Sequence, residues 1–150
     1  MPRQQNKKNL RTEKEGIKIL KKEFKEKLLV PSKKQKKTLY GFLNIDFGQY
    51  SKSIDAVILH VDSFEEVKNK KDFMLIEIKT TRAEHVTELP FGAFFGITEN
   101  EEDLFRSVDN YRLCIVHTGL KEYKLLEFDE YKSLIQNKRI QYQVKFRQNP

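Results

Sequence analysis

The sequence of 150 residues contains little of what several protein classes require. Its single cysteine, Cys114, permits no disulfide framework and no zinc-finger spacing, and its apolar neighbours predict a buried, unreactive thiol. No apolar run approaches the length of a membrane span, and the polar, basic start is followed by no apolar block of the kind found in signal peptides. We therefore expect a soluble, cytoplasmic protein without a membrane segment.

Two kinds of chemistry also lack their usual motifs. The sequence has no Gly-x-Ser-x-Gly turn and no Cys–His pair, which argues against a hydrolase with a nucleophilic side chain. It has no glycine-rich phosphate-binding loop, which argues against ATP-driven activity. His60, His85 and His117 are scattered without the spacing of metal ligands, so we expect structural or surface roles for them.

Basic residues are in excess. The formal net charge is +7 and the sequence pI is about 9.4, with lysines clustered along the chain. This balance indicates a polyanionic partner, either a nucleic acid or an acidic membrane surface. An ordinary solvated lysine surface is the alternative.

The pattern of apolar residues predicts a single domain. We expect a flexible basic arm over residues 1–11 and one domain over residues 12–150. A capping box, in which Thr12 and Glu15 bond each other's backbone amides, predicts a helix start near Thr12, and Pro31 predicts its end. Residues 32–37 resemble a lysine-rich loop, and residues 39–50 a short irregular strand and a turn.

The rest of the chain alternates between strand and helix signals. Strands are predicted over residues 54–61, 73–80, 111–117, 123–128 and 140–147. Helices are predicted over residues 98–108, after a capping box that begins at Thr98, and 129–136. Residues 91–97 fit either a short strand or a packed loop. We therefore predict an α/β fold in which helices flank a mixed central β-sheet.

Polar residues interrupt two apolar strands in one place. Successive side chains of a strand alternate between faces, so Asp55 and Val57 share one face of the first strand, and Glu77 and Lys79 share one face of the second. If the hairpin is centred near Val67, Asp55 lies opposite Lys79, and Asp55 and Glu77 are diagonal neighbours about 7–8 Å apart. The three charges form either an ion pair or a site for a hard cation such as Mg²⁺.

Asp55 followed by Glu77-Ile78-Lys79 on the next strand of an α-β-β pattern resembles the signature of the PD-(D/E)XK nuclease superfamily. Residues 73–111 also resemble a restriction-associated subgroup, the NOV C-terminal-like domains. The resemblance implies a restriction-endonuclease-like core in which Asp55, Glu77 and the carbonyl of Ile78 bind Mg²⁺ or Mn²⁺. Lys79 then completes the catalytic set.

The sequence departs from that signature in one residue and leaves a further ligand open. Ile54 stands where many members of the superfamily have proline. Many members also place an acidic residue of the first helix near the metal. Glu15 is the first candidate and Glu13 the second. Asp46 is an alternative to Asp55, although its Gly-flanked stretch favours a turn.

The resemblance and the charge together predict a Mg²⁺-dependent endonuclease that hydrolyses double-stranded DNA in restriction or phage defence. A homodimer or larger assembly would supply the two active sites that a duplex cutter needs, and no membrane partner is expected. Two alternatives stay open: a non-cleaving nucleic-acid-binding subunit or regulator, and a basic structural protein. The residues predicted to contact the nucleic acid are Lys33, Lys34, Lys36, Lys37, Thr80, Thr81 and Arg82.

Overall fold

One mixed sheet of five strands organises the protein in a computed structural model, which describes residues 2–84 and 88–150, with side chains from residue 12 onwards. The strands, in sheet order, are β1 (Leu28–Leu29), β2 (Ala56–Leu59), β3 (Phe73–Thr81), β4 (Tyr111–His117) and β5 (Glu122–Leu126). β3 and β4 run parallel, whereas the other neighbouring pairs are antiparallel. The helices are α1 (Pro2–Phe24), α2 (Lys33–Leu43), α3 (Phe47–Tyr50), α4 (Glu99–Ser107) and α5 (Phe128–Leu134).

Helices cover both faces of the sheet, as its two apolar faces require. On one face, Leu20 of α1 packs with Ile58, Ile76 and Cys114 of the strands. On the other face, residues of α2, α4 and α5 pack against β2, β3 and β4. The predicted α/β class with flanking helices is therefore confirmed. No helix in the described ranges is long and apolar enough to cross a membrane.

The first helix differs from the prediction at both ends. It begins at Pro2, so Thr12 lies inside the helix and is not its N-cap. It ends at Phe24 because Lys25 adopts a left-handed backbone with φ of 51°, and the chain then enters β1 before reaching Pro31. The division into an arm over residues 1–11 and a domain over residues 12–150 stays a prediction.

The segment predicted as a lysine-rich loop and an irregular strand is helical. Ser32 and Gln35 form a capping box that begins α2: the Ser32 hydroxyl accepts the Gln35 amide, and the Gln35 side chain accepts the Ser32 amide. Asn44 ends this helix in a left-handed conformation, and Asp46 caps the short α3. The prediction was wrong because it read the lysines as a loop signal and overlooked this capping box.

The hairpin of β2 and β3 exists, but its register differs by two residues from the predicted one. Val57 pairs with Leu75 rather than Glu77. A shift of two residues leaves every side chain on the same face, whereas a shift of one would have reversed the faces. Glu77 and Lys79 therefore still share a face with Val57.

The remaining elements follow the prediction except at the carboxyl end. α4, β4, β5 and α5 lie where they were expected, within two residues at each boundary. Residues 91–97 form a loop whose Phe95 and Ile97 pack on the core, as one of the two alternatives anticipated. The strand predicted over residues 140–147 is absent from the described chain: this stretch is irregular, and Ile140 and Phe146 are 81% and 87% exposed. A segment of alternating apolar and polar residues forms a strand only where it can pair with the edge of another strand.

Candidate active site

Asp55 is the residue immediately before β2, and it lies beside the middle of β3. Its amide donates to the carbonyl of Ile76 at 2.8 Å, and its Oδ2 accepts the amide of Ile78 at 2.8 Å. The carboxylate therefore takes the place of a strand partner for Ile78. Since the amide and carbonyl of one strand residue point to the same side, the Ile78 carbonyl also faces the side of Asp55.

Glu77 is the buried acid of the site. It is only 4% exposed, and its Oε2 is the one buried side-chain oxygen or nitrogen of the described residues that lacks a hydrogen-bond partner. Its Oε1 lies 3.3 Å from Nζ of Lys79. An unsatisfied carboxylate oxygen in the interior costs free energy unless a proton, a cation or a donor reaches it.

Glu101 also contacts Lys79, from α4, the helix that connects the parallel strands β3 and β4. The sequence did not predict this role. Its two carboxylate oxygens accept from Lys79 Nζ at 3.1 and 3.3 Å. Glu101 is 5% exposed and stands in the first turn of α4, where it forms the predicted capping box with Thr98. The ammonium of Lys79 is thus held between two buried carboxyl groups.

The pKa values of these groups show how the charges are balanced. Burial raises the pKa of Glu77 far above its ordinary value, and the neighbouring Glu101 and Asp55 raise it further. Burial alone would also raise the pKa of Glu101, but hydrogen bonding to Glu77 and the charge of Lys79 lower it overall. Burial therefore disfavours a charge on Glu77 unless a further cation reaches it, whereas Lys79 favours a charge on Glu101.

The first helix contributes Glu13 to the site rather than Glu15. Burial, together with a hydrogen bond to the Asp55 side chain, raises the pKa of Glu13 to about 7. Glu15 instead pairs with Arg82 at 3.2 Å on a more exposed surface. Gly16 allows this approach of α1, because a Cβ there would lie 2.9 Å from Cγ2 of Ile78.

One of the predicted nucleic-acid-binding lysines lies close enough to the site to interact with its charges. Lys36 of α2 is half-buried and donates to the carbonyl of Ser51 at 2.7 Å. Burial lowers the pKa of Lys36, while the charges of Asp55 and Glu77 oppose that shift. Lys36 is therefore close enough to the two predicted metal ligands for their charges to act on it.

The other predicted contact residues lie in different surroundings. Lys33, Lys34 and Lys37 are exposed on the first turns of α2, and Lys37 also lies over the ring of Phe47 at 5.3 Å. In this helix the first turn contains no acidic residue. Lysines at the N-terminus of a helix interact unfavourably with the helix dipole, so these lysines do not stabilise α2.

The residues after Lys79 are more enclosed than the prediction supposed. The Cγ2 atom of Thr80 lies 3.4 Å from the position of a Cβ on Gly16, so this side chain packs under α1. Thr81 is 8% exposed, and Arg82 donates to the hydroxyl of Thr118 and to Glu15. Of these three residues, Arg82 has the most accessible donor groups.

Asp46 and the three histidines were the remaining candidates. Asp46 accepts the amide of Gln49 as the N-cap of α3, so it caps a helix where a turn was predicted. His117 is buried and contacts the carbonyl of Ala83, His60 is exposed, and His85 lies outside the described residues.

The donor chemistry fits a hard divalent cation with few protein ligands. Within residues 2–84 and 88–150, no three His, Cys, Asp or Glu side chains form a ready-made cluster for a metal ion. Mg²⁺ does not need one, because it is commonly bound through one or two carboxylates, with water and phosphate oxygens completing the shell. Asp55, the unsatisfied Oε2 of Glu77 and the Ile78 carbonyl would suit it.

Comparisons of the chain with protein-family models, with curated proteins and with solved structures gave no match. The resemblance to the PD-(D/E)XK nucleases thus rests on the motif residues, and membership of that superfamily stays a prediction.

Proposed function

We propose that this protein is a Mg²⁺-dependent nuclease that hydrolyses phosphodiester bonds in double-stranded DNA, with a restriction-endonuclease-like core. The proposal is supported by a first helix and by two adjacent strands, β2 after Asp55 and β3 with Glu77 and Lys79, although β1, α2 and α3 lie between α1 and β2. A restriction or defence role and a homodimeric or larger assembly belong to the same proposal.

The observation that carries the proposal is the buried Glu77 carboxyl group. Its Oε2 has no hydrogen-bond partner, although it lies beside Lys79 and near the charge of Asp55. Lys79 is already engaged by Glu77 Oε1 and by Glu101, so the Oε2 atom is left for a proton or for a further cation. A cation ligated by Glu77 and Asp55 would satisfy that atom.

Each residue then has a definable task. Asp55, Glu77 and the carbonyl of Ile78 would hold the cation. When bound, Mg²⁺ would polarise the scissile phosphate and lower the pKa of the attacking water. The ammonium of Lys79 lies on the same strand face and would stabilise the negative charge that develops on the phosphate.

Binding of DNA would come from the basic surface of α2. Lys33, Lys34 and Lys37 are exposed on the helix whose Lys36 is close enough to Asp55 and Glu77 to interact with their charges, so they lie on an element near the site. Contacts between lysines and phosphates position a duplex without reading its sequence. This arrangement would bring a phosphate towards Asp55 and Glu77.

A plasmid assay tests the proposed reaction. Supercoiled plasmid should be nicked or linearised with Mg²⁺ and left intact with EDTA, and Asp55→Asn and Glu77→Gln should remove the activity. Asp62→Asn is the matched control, because the Asp62 side chain is 90% exposed and, among the described residues, forms an ion pair with the surface residue Lys27. A parent protein that cuts no DNA with Mg²⁺ or Mn²⁺ would overturn the proposal.

A second candidate is a nucleic-acid-binding subunit that does not cut. This candidate is favoured by the close contacts of Lys79 with Glu77 and Glu101, because a purely structural ion pair would make the same contacts. Such a protein would bind DNA through α2 with equal affinity in Mg²⁺ and EDTA. The Asp55→Asn substitution would then change neither binding nor the plasmid.

A further inference from the structure

We infer that Glu101 positions Lys79 for the reaction by serving as its permanent counterion, which leaves Glu77 free to bind the cation. The inference rests on the proposed nuclease function and goes beyond it, because neither the motif nor the metal ligands assign a task to α4. It concerns a positioning residue: Glu101 acts through Lys79 rather than on the substrate.

The geometry shows a lysine with two competing carboxylate partners. Lys79 Nζ lies 3.1 and 3.3 Å from the two oxygens of Glu101, and 3.3 Å from one oxygen of Glu77. The side chain of Lys79 is 16% exposed, and those of both glutamates are 6% exposed. Little water is therefore present to screen the charges, and each partner strongly influences where the ammonium lies.

Glu101 is held more rigidly than a surface glutamate would be. Its Oε1 accepts the amide of Thr98 at 2.8 Å, and its own amide donates to the Thr98 hydroxyl at 3.1 Å. The side chain of the preceding residue, Asn100, donates a hydrogen bond from the same turn of α4 to the carbonyl of Gln49. The carboxylate is thus fixed at the helix start before any ligand arrives, which is how a supporting residue orients a functional group.

Because Glu77 and Glu101 compete for the ammonium of Lys79, the effect of losing the Glu101 carboxylate can be predicted. Without the charge of Glu101, the ammonium of Lys79 would rely on Glu77 alone and would turn fully towards it. It would then compete with the divalent cation for Glu77 and would leave the position from which it can meet the phosphate. Loss of such outer partners typically lowers metal affinity or activity by about 10–100-fold.

Glu101→Gln is the variant that tests this role. Glutamine has nearly the same size, and its side-chain oxygen can still accept the Thr98 amide, so the helix cap is retained. The matched control is Glu99→Gln, because Glu99 is exposed in the same turn of α4 and loses the same charge. Single-turnover cleavage rates and DNA affinities are measured for both variants, with melting temperatures to show that each is folded.

We expect Glu101→Gln to lower the single-turnover rate by about 10–100-fold with little change in DNA affinity, and Glu99→Gln to leave both unchanged. In a Lys79→Ala background, Glu101→Gln should cost little more, because the residue it positions is already gone. An equal loss in both backgrounds, or no loss in the parent, would overturn the positioning role while the nuclease proposal stands. Absence of cleavage by the parent would instead refute the nuclease proposal, and this inference with it.

Discussion

Two identical substitutions should have opposite effects on stability, because of where α1 crosses the sheet. Gly16 lies in α1 above β3, and an added Cβ would meet Cγ2 of Ile78 at 2.9 Å and Cγ2 of Thr80 at 3.4 Å. Both methyl groups belong to β-branched side chains, which cannot easily turn away. Gly41 lies in α2, and a Cβ there would meet no atom within 4 Å.

The magnitudes follow from two competing effects. Alanine is preferred over glycine within a helix by about 0.5–1 kcal/mol. Overpacking of a tight interior contact typically costs about 1–3 kcal/mol. Gly41→Ala should therefore stabilise the protein by roughly 0.5–1 kcal/mol, whereas Gly16→Ala should destabilise it by about 1 kcal/mol once its own helix gain is subtracted.

Thermal unfolding of the two variants provides the assay. In a protein of this length, 1 kcal/mol corresponds to about 2–4 °C in melting temperature, so the two variants should move apart in opposite directions. The same displacement of α1 would also withdraw Glu13 from Asp55, so Gly16→Ala should weaken any stabilisation by Mg²⁺. If both alanine variants were stabilised equally, α1 would not lie against β3 at Gly16, and the account of Glu13 would be wrong.

Three further predictions concern catalysis, binding and pH. Lys79→Ala should lower the cleavage rate by about 10²–10³-fold with unchanged DNA affinity, and equal rates in a single-turnover assay would contradict a catalytic role. Replacing Lys33, Lys34 and Lys37 by alanine should reduce the slope of log affinity against log salt by up to about 3, which a titration at several salt concentrations measures. Glu102 bonds Tyr131 and Lys138, each at 2.7 Å, and although burial opposes the shift, these contacts lower its pKa. Its stabilising effect is present above its unfolded pKa and is lost as pH falls through the lower folded value, so the melting-temperature gap between the parent and Glu102→Gln should shrink in acid; a gap independent of pH would contradict this assignment.

The sequence predicted the parts of the site that lie on one hairpin. Alternation along β3 placed Glu77 and Lys79 on one face, and this result survived an error of two residues in register because the faces repeat every second residue. The capping box at Thr98 likewise predicted the start of α4. Both patterns are local, so neighbouring residues determine them.

The parts that failed depend on how distant segments meet. Glu101 reaches Lys79 only because α4 returns the chain to a parallel strand, and no local pattern gives that distance. Glu13 was predicted only as the second candidate after Glu15. The sequence does not show which side of α1 faces the sheet, and in the structure the contact at Gly16 fixes that side. The alternation over residues 140–147 indicated a strand, but a strand also needs a neighbouring edge.

The most direct test of the central claim is a crystal structure of the protein soaked in Mn²⁺, with anomalous scattering used to locate the metal. The account predicts one peak bounded by Asp55, Glu77 and the carbonyl of Ile78, about 2.0–2.2 Å from the carboxylate oxygens, as is usual for small divalent cations. The same soak of Asp55→Asn should show no peak. A parent crystal in which Lys79 still fills the space between Glu77 and Glu101, with no metal at Glu77 Oε2, would contradict the claim.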